Sequence, residues 1–226
     1  MWSAGVVRRI PPAGRPATLR LGFSLARGMR VGIYGGSFNP AHEGHAHVAE
    51  TARRKLGLDR VIWLVSPQNP LKPTHETASQ VERMAGARKF ARGPNMIVSD
   101  AESRIGTRYT IDTLRALKGR FPGVRFVWLM GADSLATFHR WKGWTQIMKE
   151  APVAVISRPW ISLRSRFSPA AKRFASARLP MDQTRSLPGR HAPAWVFLNG
   201  PLNFQSSTAL RERMRSGKTR RRRDGS

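Results

Sequence analysis

The sequence predicts a doubly wound α/β fold, a parallel sheet with helices on both faces. Three observations carry this. From Met29 onward, short apolar runs rich in β-formers alternate with longer amphipathic segments. The longer segments space their apolar residues as helices do. The chain is 40% hydrophobic, which suits a folded domain despite its heavy charge. Strand–helix alternation with right-handed crossovers covers both faces of a single sheet.

Arg30–Tyr34 is the first strand. A helix over Ala46–Gly57 follows, with Val48, Ala52 and Leu56 on one face. Val61–Val65 is a second strand, stopped by Ser66-Pro67. Ala78–Arg92 reads as a helix, Met96–Val98 as a short strand, and Tyr109–Phe121 as a helix with Leu114, Leu117 and Phe121 inward. Val124–Met130 is the run richest in β-formers. Thr145–Lys149 is a short helical piece, Val153–Ile156 a strand, and Ala170–Ala177 a further helix. Trp195–Leu198 is a last strand and Ser207–Arg215 a last helix. Ser99–Arg108 and Arg178–Pro193 read as loops, the second as an exposed one because of Pro180, Pro188, Gly189 and Pro193. The architecture is Rossmann-like and single-domain over residues 30–215. A loose basic extension is expected over 1–29 and a basic disordered tail over 216–226. Folds of this class bind ligands outside the carboxyl ends of their strands, so the residues just after each strand carry the functional information.

Composition sets bounds. The 226 residues contain no cysteine, which excludes disulfides, thiolate metal sites and cysteine nucleophiles. Lys+Arg is 40 against 13 Asp+Glu, a formal charge of +27. Such a chain attracts anions: nucleotides, phosphates, nucleic acid or acidic lipid. Arginine is scattered along the whole length, with one dense run at Arg220–Arg223, so nucleic acid is not the expected partner. No run of eighteen apolar residues exists, hence no membrane span is expected. Met1–Met29 lacks a continuous apolar stretch of the secretory kind, and a cytoplasmic location is expected.

The first strand runs into Gly35-Gly-Ser-Phe-Asn-Pro-Ala-His-Glu-Gly-His45. Glycines allow a tight bend and close approach to a ligand, and Pro40 stiffens the turn. His42 and His45 lie three apart at the start of the following helix, so both imidazoles can face one point. A helix N-terminus already favours phosphate through its free N–H groups and its dipole. Two imidazoles there make a site for an anion whose charge grows during reaction. Zinc held by His42, His45 and His47 is the lesser reading, because His47 and Glu43 point to other sides of the helix and leave no evident third ligand.

This segment resembles the (T/H)xGH-type signature of the nucleotidylyltransferase superfamily, in the form typical of bacterial nicotinate-mononucleotide adenylyltransferases. Gly131-Ala-Asp-Ser-Leu135 with Phe138-His-Arg-Trp141, then Ser157-Arg-Pro159, then Ser206-Ser-Thr-Ala-Leu-Arg211 match that family in order and spacing over about Arg30–Met214. The resemblance departs at both ends, where the basic extension and the basic tail stand outside it. It implies transfer of AMP from ATP to nicotinate mononucleotide, forming deamido-NAD and pyrophosphate, with Mg²⁺ accompanying the ATP. It implies that His42 and His45 contact the ATP phosphates, His45 nearest the α-phosphate. Gly35, Gly36, Ser37 and Phe38 would line the nucleotide cleft through their backbone. Gly131 and Asp133 would hold the adenosine, and Arg158 the adenine or phosphates. Ser206, Ser207, Thr208 and Arg211 would receive the β- and γ-phosphates. Asn69, Lys72, Thr110 and Trp141 would take the mononucleotide, with Trp141 stacking on the pyridine ring. Capping is the plain alternative for Asp133 and Thr110, and core packing for Trp141. Other acceptors (nicotinamide mononucleotide, phosphopantetheine), a basic RNA-binding protein and an inactive relative are the competing readings. Oligomeric state stays open; a homo-oligomer is compatible with the sequence.

Overall fold

A computed structural model describes residues 21–67, 77–157 and 165–199. Six strands form one sheet: β1 (Arg30–Gly36), β2 (Arg60–Val65), β3 (Met96–Ser99), β4 (Arg125–Gly131), β5 (Val153–Ser157) and β6 (Trp195–Asn199). Their order is β3-β2-β1-β4-β5-β6 and every neighbouring pair is parallel. The chain winds outward from β1 in one direction, then returns and winds outward from β4 in the other. The topological switch point therefore lies between β1 and β4, where such folds open a crevice. β2, β4, β5 and β6 read as unbroken apolar runs because both faces of the sheet are covered.

One face packs α3 (Ala101–Ile105), α4 (Thr110–Arg120), α5 (Ala132–Thr137), α6 (Trp144–Glu150) and α7 (Pro169–Arg173) over Val31, Ile33, Trp128 and Val155. The other packs α1 (Glu43–Leu56) and α2 (Gln80–Phe90) over Tyr34, Trp63, Leu129 and Ile156. Val48, Ala52 and Leu56 are buried on α1, as the spacing predicts, and so are Leu114 and Leu117 on α4. The α1 helix ends conventionally. Gly57 adopts φ 63° and its N–H bonds to Arg53 O, while Arg53, Arg54 and Lys55 fill the last turn.

Three expectations are corrected. Ser99–Arg108 is not all loop: Ala101–Ile105 forms α3, which buries Ala101 and Glu102 and closes on Gly106 at φ 77°. Five residues are too few to show helical periodicity. Arg178–Pro193 is not an exposed loop either. Met181–Gly189 forms a 3-10 helix that buries Thr184, Leu187 and Pro188 against the α1 face, a threefold winding whose spacing does not imitate an α-helix. Finally, residues 21–29 belong to the folded body rather than to a loose extension. Leu21 is 4% exposed, its carbonyl accepts from Ser99 Oγ at 3.2 Å, and Phe23 stacks on Phe121 at 5.7 Å. The expected helix over Ser207–Arg215, the tail over 216–226 and the first twenty residues lie outside the described residues.

Candidate active site

The histidine pair singled out by the sequence is built on the β1–α1 turn. His42 is the N-cap of α1, with extended backbone (φ −157°, ψ 170°). Its Nδ1 accepts the Gly44 N–H at 3.0 Å, and His45 Nδ1 accepts the His42 N–H at 3.2 Å. This is a reciprocal capping box in which imidazoles replace the usual hydroxyl and carboxylate. The helix consequently starts at Glu43, three residues before the start read from the sequence, because histidine is not among the ordinary cap signals.

The cap has a chemical consequence. A ring nitrogen that accepts a backbone N–H carries no proton, so each neutral ring holds its proton on Nε2. Both rings are thereby set as Nε2–H donors of one tautomer. Their centroids are 3.9 Å apart and tilted by 42°, and His42 is only 2% exposed. The pair forms a compact double donor at a helix N-terminus, beside the sheet's switch point. His47, by contrast, meets Thr51 Oγ1 at 3.4 Å within its own helix. Among the described residues no three His, Asp or Glu side chains converge as a metal site would require.

Phe38 fixes the loop that carries these rings. Its φ is +46°, a sparsely used region for a side chain with a Cβ. Its ring is 2% exposed, stacks on Trp63 at 5.1 Å and meets His45 edge-on at 5.1 Å. Burial of the aromatic ring offsets the backbone cost. The neighbouring glycines serve packing more directly than flexibility. A Cβ on Gly35 would stand 2.4 Å from the Trp128 ring, and one on Gly36 would stand 3.1 Å from the Phe38 ring. Neither has positive φ. Ser37 follows, half-buried, with its carbonyl accepting from Arg83 at 2.8 Å.

On the other side of the switch point, Gly131 ends β4 and serves as the N-cap of α5. Asp133 is the second residue of that helix and exposed; its carboxylate folds back so that a Cβ on Gly131 would collide with Oδ1. The N-cap position is thus Gly131, and Asp133 lies in the first turn. Thr110 is the first helical residue of α4, after the N-cap Tyr109. Trp141 is half-buried, packs edge-on against Trp128 at 6.3 Å and against Phe138 at 5.3 Å. Lys142 Nζ stands 4.2 Å over the Tyr109 ring, which brings the Trp141 loop up to the α4 start and hence to Thr110. Trp128 links the two regions, touching the Gly35 backbone on one edge and Trp141 on the other. Asn69, Lys72, Arg158, Ser206, Ser207, Thr208 and Arg211 lie outside the described residues.

Two buried ionisable groups escape the sequence reading. Glu102 is 6% exposed, and burial pushes its carboxyl up to about 7, against the opposing hydrogen bond from Thr113 Oγ1 at 3.2 Å. Thr113 Oγ1 also lies 2.9 Å from Thr107 Oγ1, so this network braces the segment leading to Tyr109 and Thr110. Arg83 is 3% exposed and turns inward from α2. No sequence signal separates it from the other thirty-one arginines.

The fold and site define a class: a nucleotidyltransferase, with its histidine pair after the first strand. The comparisons agree. The cytidylyltransferase-like family matches residues 33–213. A probable nicotinate-nucleotide adenylyltransferase of Caulobacter sp. (strain K31) is 70% identical over 189 residues, 84% of this chain and 100% of that one. One from Parvibaculum lavamentivorans is 53% identical over 189 residues, 84% and 94% of the two chains. The chain belongs to the cytidylyltransferase-like family and, within it, to the bacterial nicotinate-nucleotide adenylyltransferases. Its fold is also that of the Plasmodium falciparum nicotinic acid mononucleotide adenylyltransferase solved with NaAD, at TM-score 0.60, 17% identity and 80% and 82% coverage of the two chains. The same parasite enzyme solved with APC gives TM-score 0.59 at 18% identity, covering 81% and 83%.

Proposed function

We propose that this protein joins ATP and nicotinate mononucleotide. A 5′-phosphate oxygen of the mononucleotide attacks the α-phosphorus of ATP; the new P–O bond forms as the bond from the α-phosphorus to the bridging oxygen breaks. Deamido-NAD and pyrophosphate leave. The attacking phosphate is an anion at neutral pH, so neither a general base nor a covalent nucleophile is needed, and catalysis rests on alignment and on stabilising charge. The observation that carries this reading is the reciprocal histidine cap. It fixes both Nδ1 atoms as acceptors and leaves Nε2–H as the donor of each neutral ring at a helix N-terminus, which supports a role in stabilising charge that builds on the α-phosphate without reorganisation. His45 is assigned to the α-phosphate and His42 to the neighbouring phosphates.

The remaining roles follow the same frame. Gly35, Gly36, Ser37 and Phe38 form the wall of the ATP cleft, and Gly131 and Asp133 face the adenosine, a carboxylate being suited to ribose hydroxyls. Ser206, Ser207, Thr208, Arg211 and Arg158 are assigned to the polyphosphate and adenine side. Trp141, Thr110, Asn69 and Lys72 are assigned to the acceptor. Mg²⁺ would come with ATP as part of that substrate and would neutralise charge on the departing pyrophosphate. Cytoplasmic NAD biosynthesis is the setting this reaction implies. Among the described residues no helix is long and apolar enough to cross a membrane.

The test is turnover of the purified protein with MgATP and each of nicotinate mononucleotide, nicotinamide mononucleotide and phosphopantetheine, following pyrophosphate and the product. Nicotinate mononucleotide should give the highest kcat/KM. No turnover with it, under conditions where another acceptor reacts, refutes the acceptor assignment.

A further inference from the structure

The guanidinium of Arg83 lies beneath the loops that leave β1 and β2, and four of its five N–H groups donate to main-chain carbonyls. Nη1 donates to Ser37 O and to Ser66 O, both at 2.8 Å; Nη2 donates to Pro67 O at 2.9 Å and Nε to Ala78 O at 2.9 Å. No carboxylate forms an ion pair with it among the described residues. Burying a cation without a counter-charge is costly unless its donors are satisfied. A role in ordinary packing would be filled more cheaply by an apolar side chain. A rigid planar fork, however, can hold several carbonyls from separate segments in one fixed geometry.

Three of those carbonyls belong to the loops after β1 and β2, and the fourth, Ala78 O, stands just before α2 itself. Ser37 lies between the β1 strand and the histidine cap, on the side assigned to ATP. Ser66 and Pro67 begin the segment that continues in sequence to Asn69 and Lys72, on the side assigned to the acceptor. The same junction is reinforced where Ser66 N–H meets Gly36 O at 3.0 Å and Gln80 Nε2 meets Val65 O at 2.7 Å. Burial also lowers the guanidinium's affinity for its proton, but arginine stays charged.

We propose that Arg83 is a positioning residue that sets the separation of the donor loop and the acceptor loop. It touches neither nucleotide. It holds the two loops at the spacing an in-line attack requires. The inference rests on the adenylyl-transfer reading for its kinetic consequence and on geometry alone for its structural one.

The test uses Arg83→Lys and Arg83→Met in the full chain, with amide hydrogen exchange and kinetics side by side, below each variant's unfolding temperature. Lysine keeps the charge but not the fork. Both variants should raise exchange in the segments around Ser37 and Ser66 together. Both should lower kcat with nicotinate mononucleotide at least 30-fold, while the affinities for ATP and the mononucleotide measured singly change less than 3-fold. Arg83→Lys is the variant expected to fold if Arg83→Met does not, and it alone suffices. Wild-type exchange and kcat in Arg83→Lys overturn the proposal. So does a loss confined to one nucleotide's affinity, or a faster exchange spread evenly over the whole chain, which marks general destabilisation. If the wild-type protein does not adenylate nicotinate mononucleotide, the functional reading fails on its own; kcat is then read with the acceptor that does react, and the paired exchange of the two loops still decides the role of Arg83.

Discussion

At the scale of single residues, His42 does two jobs that substitution can separate. As an N-cap its imidazole stabilises α1; in the proposed reaction its Nε2–H donates to phosphate. Asparagine caps at least as well as histidine but lacks the second donor in that place. His42→Asn should therefore leave the unfolding free energy within about 1 kcal/mol of wild type, while kcat falls about 100-fold, the usual effect of deleting one preorganised donor. His45→Ala should reduce kcat by a similar or larger factor with only modest loss of ATP affinity. Thermal unfolding measured beside steady-state kinetics checks both variants, and unchanged turnover in His45→Ala removes that ring from the mechanism. Glu102 gives a different readout. Its carboxyl is raised from 4.5 to about 7 by burial. Between those values the unfolded chain has released its proton while the folded one keeps it, so this residue's contribution to stability falls as pH rises through that window and is flat above it. The whole effect is about 3 kcal/mol. Glu102→Gln, which cannot ionise, should gain on wild type by roughly 2–3 kcal/mol between pH 4.5 and pH 8. Urea unfolding at several pH values measures this difference, and a gap that stays constant with pH rejects it.

At the scale of elements, the strands and the longer helices were readable because their cause is local. Val48, Ala52 and Leu56 face one way on any helix built from that stretch, and Val61–Val65 is apolar because both its sides are covered. The α3 helix was unreadable for the opposite reason. Its five residues gain their stability from Glu102 and Ala101 packing into the body, and no periodicity announces that. The 3-10 segment Met181–Gly189 holds Pro188 inside it, a residue that locally argues for a turn, yet Leu187 is fully buried. Residues 21–29 make the same point from the other direction: a proline- and arginine-rich beginning masks a short segment that docks. Leu21→Ala should cost about 2–3 kcal/mol, the lower part of the range for truncating a buried leucine. A change below 0.5 kcal/mol in chemical unfolding is the outcome for a segment that does not contribute to the core.

At the scale of the whole molecule, +27 is far more positive charge than one triphosphate site requires. A charge of this sign should accelerate encounter with anionic nucleotides and make that encounter salt-sensitive. It also invites weak nucleic-acid binding, which the run Arg220–Arg223 would dominate. Removing Arg215–Ser226 should abolish retention on immobilised RNA while sparing transferase activity. If RNA binding persists after that deletion, the charge that matters lies on the folded body.

The sequence by itself determined the six strands and the longer helices in their chain order, the histidine pair after the first strand and, through four ordered motifs, the family. Those features are local or are written as contiguous residues. Only the tertiary structure decided that the two imidazoles cap their own helix and so share one tautomer. It alone revealed that Gly35 yields space to Trp128, that Trp141 and the α4 start face one another, and that Arg83 joins two loops. Each of these depends on groups distant in the chain meeting at hydrogen-bond or van der Waals range, and such distances are set by how the layers pack, which no stretch of sequence contains.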